Sequence, residues 1–184
     1  MPPRRPGALT AVETRALRAV RRATGGTAAV PAGRALSAAG EHAAAWVLVA
    51  AAGEVLQPRR RREWVRAGGV VLAAHASSVV LKRVVRRPRP DLPDCPPLVG
   101  TPSRLSFPSS HATSTTAAAV LFVPLLGGTR PVRLAAAGTV GAMACSRVVL
   151  GVHYPSDVLT GGVLGAAVAA LAGRRVLGLP GTRR

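Results

Sequence analysis

Three short clusters hold the residue types that can do chemistry in this chain: Lys82-x6-Arg89-Pro90, Pro108-Ser109-Ser110-His111, and Ser146-Arg147-x5-His153-x3-Asp157. Together they describe a phosphate site. A phosphomonoester dianion needs concentrated positive charge and several donors, and phosphoryl transfer spreads further charge over three equatorial oxygens. Lys82, Arg89 and Arg147 supply the charge, the two arginines as bidentate forks and the lysine as a compact point charge. The backbone N–H groups of Ser109, Ser110 and His111 are expected to open a helix whose N-terminus attracts the anion, with the Ser109 hydroxyl as a further donor. Two imidazoles then divide the covalent work. His153 is the expected nucleophile, because Asp157 four residues on can fix its tautomer and support the cation that develops. His111 is placed to protonate the leaving alkoxide and later to deprotonate water.

Such a site needs elements that bring its parts together. Five segments rich in Ala, Val, Leu and Gly run over residues 35–57, 64–81, 112–128, 132–150 and 158–173, each near the length that crosses ~30 Å of hydrocarbon as a helix. The three clusters lie at the ends of these segments. If the segments alternate in direction, all three clusters reach the same side of a membrane. Between the second and third segments a proline-rich connection without helical periodicity marks a long loop, and loops of that kind carry function. Pro155 suits the first turn of the fifth helix, which places His153 just before it and Asp157 inside it. Gly161 and Gly165 suggest close helix packing. Residues 9–22 form a basic amphipathic helix, either lying in the headgroup layer or serving as a frayed basic tail. The whole reads as one domain, with a basic N-terminal segment over 1–34, a transmembrane core over 35–173 and a basic tail over 174–184.

Composition supports that organisation. The 184 residues carry 25 Lys+Arg against 7 Asp+Glu, a net charge of +18, yet 48% are hydrophobic and the mean hydropathy is +0.29. A basic yet apolar chain fits a membrane protein with cationic loops better than a soluble nucleic-acid binder, and 3% aromatic content leaves few stacking platforms for single strands. Lys82 is the only lysine among 25 basic residues, so its ammonium is expected to do something a guanidinium does badly. Cys95 and Cys145 suggest neither a disulfide framework nor a redox pair, and the scattered carboxylates point to chemistry without a metal or other cofactor. Glu54 and Glu63 are expected to pair with nearby arginines. Glu41, His42 and His75 lie within apolar segments, and they read as satisfied interior groups rather than site residues.

These motifs resemble those of the phosphatidic acid phosphatase type 2 superfamily, over Lys82 to Asp157, and the chain looks like a small bacterial membrane-embedded member. The resemblance implies an all-α integral membrane bundle of about five transmembrane helices. It also implies a phosphohistidine on His153 supported by Asp157, acid–base work by His111, and metal-free phosphate binding by Lys82, Arg89, Ser109 and Arg147. Ser110 stands where the family usually has glycine; it keeps the backbone donor but resists a positive φ. The implied substrate is a lipid or polyprenyl phosphomonoester or pyrophosphate at a bacterial plasma membrane. Decaprenylphosphoryl-phosphoribose is among the candidates, given a GC-rich, actinobacterial style of composition. Partners are then the substrate and membrane lipids, with no nucleic acid. Two competing readings are a vanadate-haloperoxidase-like anion site and a non-enzymatic polybasic membrane scaffold.

Overall fold

A computed structural model describes residues 8–25 and 27–176. Residues 177–184 of the expected basic tail, and 1–7 of the N-terminal segment, lie outside them. The described residues fold as seven α-helices: α1 Ala8–Thr24, α2 Ala29–Ala39, α3 Ala44–Leu56, α4 Arg61–Val85, α5 Ser110–Leu125, α6 Arg130–Val149 and α7 Pro155–Val176. No strand is present among the described residues, and one isolated bridge pairs Pro88 with Leu105 inside the long loop.

Helix ends follow local chemistry. Glu63 sits in the first turn of α4, and Lys82 and Arg83 sit in its last, which complements the helix dipole. Ser109 caps α5, accepting from the Ala112 N–H. Pro155 opens α7 with Asp157 in the first turn. The glutamates outside the site pair as expected, Glu54 with Arg61 at 2.7 Å and Glu63 with Arg60 at 2.6 Å.

At the centre is α5, packed mainly against α7 and α4. Most of its residues are buried, from Ala112 and Thr113 to Leu121, Phe122 and Leu125, while Val120 faces outward. Without a hydrophobic drive between helices in lipid, close contact depends on small residues. Gly161 and Gly165 of α7 meet that need: a methyl at either would run into the backbone of Ser109 or Thr113. An apolar cluster with Trp64, Leu121, Phe122 and Leu125 fills the end of the bundle away from the clusters of chemistry. The outward faces carry exposed Leu48, Leu72, Val80, Leu134, Leu159 and Leu171, a belt suited to acyl chains.

Two expectations need correction. Of the five segments, three helices are long and apolar enough to cross a membrane, or four if a bent pair counts as one. At 16 residues, α5 is ~24 Å long, short of the ~30 Å hydrocarbon thickness. The expected first span is itself broken. α2 stops at Ala39, a 3-10 turn takes Glu41–Ala43, and the pair bends by 51° because His42 (φ 52°) and Ala43 (φ 61°) adopt left-handed backbone.

The N-terminal helix forms as expected and is amphipathic. Leu9 and Val12 are exposed, while Glu13 and Leu17 are buried. A carboxylate and a leucine together dock it. Arg18 holds Asp94 of the long loop at 2.6 Å, and Arg21 donates to the Pro96 carbonyl at 2.7 Å. The helix is therefore tied to the same loop that carries Arg89.

Candidate active site

The end of α4, the start of α5, the end of α6 and the start of α7 meet at one end of the bundle. They surround a cavity of about 420 Å³ lined by Lys82, Arg89, Ser110, His111, Arg147 and His153. Antiparallel neighbours thus bring together clusters that lie far apart in sequence.

Each cation is anchored by backbone carbonyls before any anion arrives. Lys82 is buried, and its Nζ donates to the carbonyls of Leu105 (3.3 Å), Ser106 (3.0 Å) and Pro108 (2.8 Å). Three acceptors around one nitrogen suit a tetrahedral ammonium, and a planar fork would not reach them together. The lone lysine therefore holds the loop that leads into α5 and adds its charge to the cavity wall. Lys82→Arg should accordingly lower kcat/KM by on the order of 10- to 100-fold in a steady-state assay, and an unchanged value would refute this reading.

Arg89 donates from Nε to the Ser103 carbonyl (2.8 Å) and from one terminal nitrogen to the Val152 carbonyl (2.7 Å). Burial lowers its pKa to about 10, which leaves it cationic at neutral pH. Arg147 is buried and spans α6 to α2, donating to Ser146 Oγ (3.1 Å), Ser37 Oγ (3.0 Å) and the Gly33 carbonyl (3.5 Å). A charged wall fixed in this way needs little reorganisation when a phosphate enters.

The histidines are oriented by their neighbours. Arg89 points a donor at His153 Nε2, 3.1 Å away, so that nitrogen carries the lone pair and Nδ1 carries the proton. Nδ1 faces Asp157 Oδ2 at 3.7 Å, longer than a hydrogen bond, and is otherwise buried without a partner. Burial pushes His153 down to about 3 against the pull of Asp157, with Arg89 and Lys82 adding to the depression. At neutral pH the ring is uncharged, the state a nucleophile requires. His111 Nε2 lies 3.1 Å from the Ser37 carbonyl; an acceptor there makes Nε2 the donor and leaves Nδ1 to exchange a proton.

The α5 N-terminus differs in detail from expectation. The Ser109 N–H donates to the Asp157 carbonyl (2.9 Å), and its hydroxyl caps the helix at the Ala112 N–H (3.4 Å). Its N–H is committed to α7, its hydroxyl oxygen accepts the cap bond, and Ser109 is not among the cavity-lining residues, so it locks α5 onto α7 and the first-turn N–H groups of Ser110 and His111 are left for an anion. Ser110 needs no positive φ, being the first residue of α5, and its hydroxyl shares a 2.7 Å hydrogen bond with Ser78.

The sequence model of the PAP2 superfamily matches residues 63–177, a stretch that contains the three cations, Ser109, Ser110, His111, His153 and Asp157. The chain belongs to the PAP2 superfamily. It is 59% identical over 128 residues to the decaprenylphosphoryl-5-phosphoribose phosphatase of Mycolicibacterium smegmatis, covering 70% of this chain and 68% of that protein. It is 54% identical over 138 residues to the protein of the same name from Mycobacterium tuberculosis, covering 75% of each. In fold it is similar to a transmembrane PAP2 type phosphatidylglycerolphosphate phosphatase from Bacillus subtilis, with a TM-score of 0.76 at 22% identity over 97% of this chain and 90% of that one.

Two residues of this PAP2 site escaped the sequence reading. Arg87 donates to Asp157 Oδ1 (2.8 Å) and to Glu13 Oε2 (2.5 Å), and it stacks 4.0 Å from the centre of the Tyr154 ring. Glu13 in turn accepts from the Ser156 N–H (3.0 Å). Burial would raise the Glu13 carboxyl, but the bonds from Ser156 and Arg87 outweigh it and hold it below its usual range. Asp157 is therefore fixed by Arg87 and by the Tyr154 N–H (2.8 Å), with α1 closing the network from outside. Arg87 is one of many arginines in the sequence, and no spacing marked it. Arg87→Met should leave two buried carboxylates without their cation, costing about 3 kcal/mol of stability. It should also lower kcat by roughly tenfold while KM stays near wild type, since Asp157 acts through His153. Denaturation and steady-state kinetics together check this, and a variant with wild-type kcat would remove Arg87 from the positioning network.

Glu41, His42 and His75, expected to be satisfied interior groups, instead line the same cavity. His75 Nδ1 is buried and has no hydrogen-bond partner.

Proposed function

We propose that the protein is a metal-independent phosphoric ester hydrolase that removes the terminal phosphate of a membrane lipid through a phosphohistidine on His153. A lipid-linked 5-phosphoribose of the kind named for its mycobacterial relatives is the proposed substrate, and the bacterial plasma membrane is its proposed location. One observation carries the reading: a neutral His153 whose Nε2 meets Arg89 in a cavity that His111, Lys82 and Arg147 also line.

The steps follow from that geometry. The phosphate displaces the Arg89 contact at His153 and is gripped by Arg89, Arg147 and the N–H groups of Ser110 and His111, within the field of Lys82. His153 Nε2 attacks phosphorus as the phosphorus–ester oxygen bond breaks, and protonated His111 gives its proton to the departing alkoxide. Asp157 steadies the Nδ1–H as the ring gains charge. Water then attacks the phosphohistidine, His111 takes the water's proton, and the phosphorus–nitrogen bond breaks to release orthophosphate and neutral His153. The charge needed by the transition state comes from the three fixed cations. A polybasic scaffold would need no imidazole buried against a carboxylate, and the relatives of a haloperoxidase-like reading would not be named phosphatases.

Purified protein in detergent, assayed on decaprenylphosphoryl-5-phosphoribose, phosphatidic acid and a polyprenyl pyrophosphate, tests the proposal. Phosphate release is expected from all three, with the largest kcat/KM for the phosphoribose lipid and no loss on adding a chelator. Absence of release from every lipid phosphate would overturn the phosphatase reading.

A further inference from the structure

The cavity is larger than phosphoryl transfer requires, and part of its lining has no role in the chemistry described above. Beside Lys82, Arg89, Arg147 and His153, it is lined by Glu41, His42 and His75. The His42 and His75 rings lie 6.4 Å apart between centroids, so α4 and the kink after α2 face each other at the cavity wall.

The acid His111 marks which part of the substrate meets that wall. Its ring contacts the Ser37 carbonyl at 3.1 Å, and Gly40 is packed so closely on it that a methyl there would lie 2.6 Å from His111 Cδ2. His111 is thus seated against the end of α2, one turn from Glu41. In an in-line displacement the nucleophile and the leaving oxygen lie on opposite sides of phosphorus. With His153 as the nucleophile and His111 as the acid, the released alcohol lies on the His111 side, where Ser37 and Gly40 meet the ring and Glu41, His42 and His75 line the cavity.

The chemistry of that wall selects the alcohol. A carboxylate repels a phosphate, and an acyl or prenyl chain has no use for three ionisable groups. Glu41 has no ion-pair partner among the described residues, although the chain carries a net charge of +18. Carboxylate and imidazole groups left open in a cavity suit a neighbour with several hydroxyls, since the carboxylate accepts from two and each imidazole can accept or donate. The backbone is committed to this arrangement: His42 and Ala43 both take left-handed conformations that non-glycine residues avoid, and Ala43 is fully buried behind them.

We propose that Glu41, His42 and His75 form a polyol subsite that binds the sugar bearing the scissile phosphate, next to the acid that protonates its oxygen. This inference rests on the phosphatase reading and makes the kink a determinant of specificity within it. The enzyme would then favour phosphate esters of a pentose headgroup over esters whose alcohol has no free hydroxyl.

The test compares kcat/KM for decaprenylphosphoryl-5-phosphoribose with that for phosphatidic acid, whose released alcohol carries two acyl chains in place of hydroxyls. It uses full-length protein in detergent and the variants Glu41→Gln, His42→Asn and His75→Gln. Asparagine tolerates the left-handed backbone at position 42, so that variant probes the ring rather than the kink. The ratio of the two specificity constants is expected to fall at least about tenfold in Glu41→Gln and His75→Gln, mainly through KM for the phosphoribose lipid. Phosphatidic acid turnover reports folding within the same preparation. A ratio within about twofold of wild type in all three variants, or equal losses on both lipids, would overturn the subsite while leaving the phosphatase standing. A wild-type protein that hydrolyses neither lipid would overturn both.

Discussion

Replacing His153 by alanine is expected to lower phosphate release by on the order of a thousandfold or more, with the helical fold retained. The effect is large because no second group can take over the attack: His153 is the only imidazole among the described residues with a ring nitrogen facing Arg89 and the other turned toward a carboxylate. Its loss leaves Arg89 anchored by Ser103 and Val152, so the cavity keeps its shape. Initial rates on a lipid phosphate, alongside the unfolding temperature, give the measurement. A folded variant retaining more than about 1% of wild-type turnover would remove His153 from the nucleophile's position.

His111→Asn should give the second-largest effect, and one that depends on the leaving group. An alkyl or sugar alkoxide needs a proton as it departs, so the variant is expected to lose roughly 10²- to 10⁴-fold on lipid substrates. A nitrophenolate leaves without one. On p-nitrophenyl phosphate the variant should therefore still phosphorylate His153, then stall, because the base that activates water is missing. The expected record is a burst of nitrophenolate near the enzyme concentration followed by slow turnover. Equal losses on both substrates, with no burst, would mean that His111 only supports the wall it shares with Gly40 and Ser37.

Both predictions concern residues that the sequence marks by type and spacing. A His four positions before an Asp, a proline between them to start a helix, and Ser-Ser-His at the head of an apolar segment are local patterns. Local patterns survive translation into structure when the elements that carry them form as expected, and α4 to α7 do. The lone lysine was legible for the same reason, since its rarity in an arginine-dominated chain pointed to a task, and three carbonyls around its Nζ supply one.

What sequence alone determined was the helical, membrane-suited character of the chain, the three clusters, their arrival at one end of the bundle, and a phosphate as the group they fit. Tertiary structure alone decided that Ser109 spends its N–H on α7 while its hydroxyl accepts within its own helix, that Arg87 and Glu13 stand behind Asp157, and that Glu41, His42 and His75 open onto the cavity. The physical reason is the same in each case. Charge and residue spacing act over a few positions of chain, whereas a hydrogen bond between Arg87 and Glu13, 74 residues apart, exists only once packing has chosen which of many similar arginines comes within reach. The bend after α2 belongs with these, because a run of alanine and valine specifies a helix but not where neighbouring side chains will force it to turn.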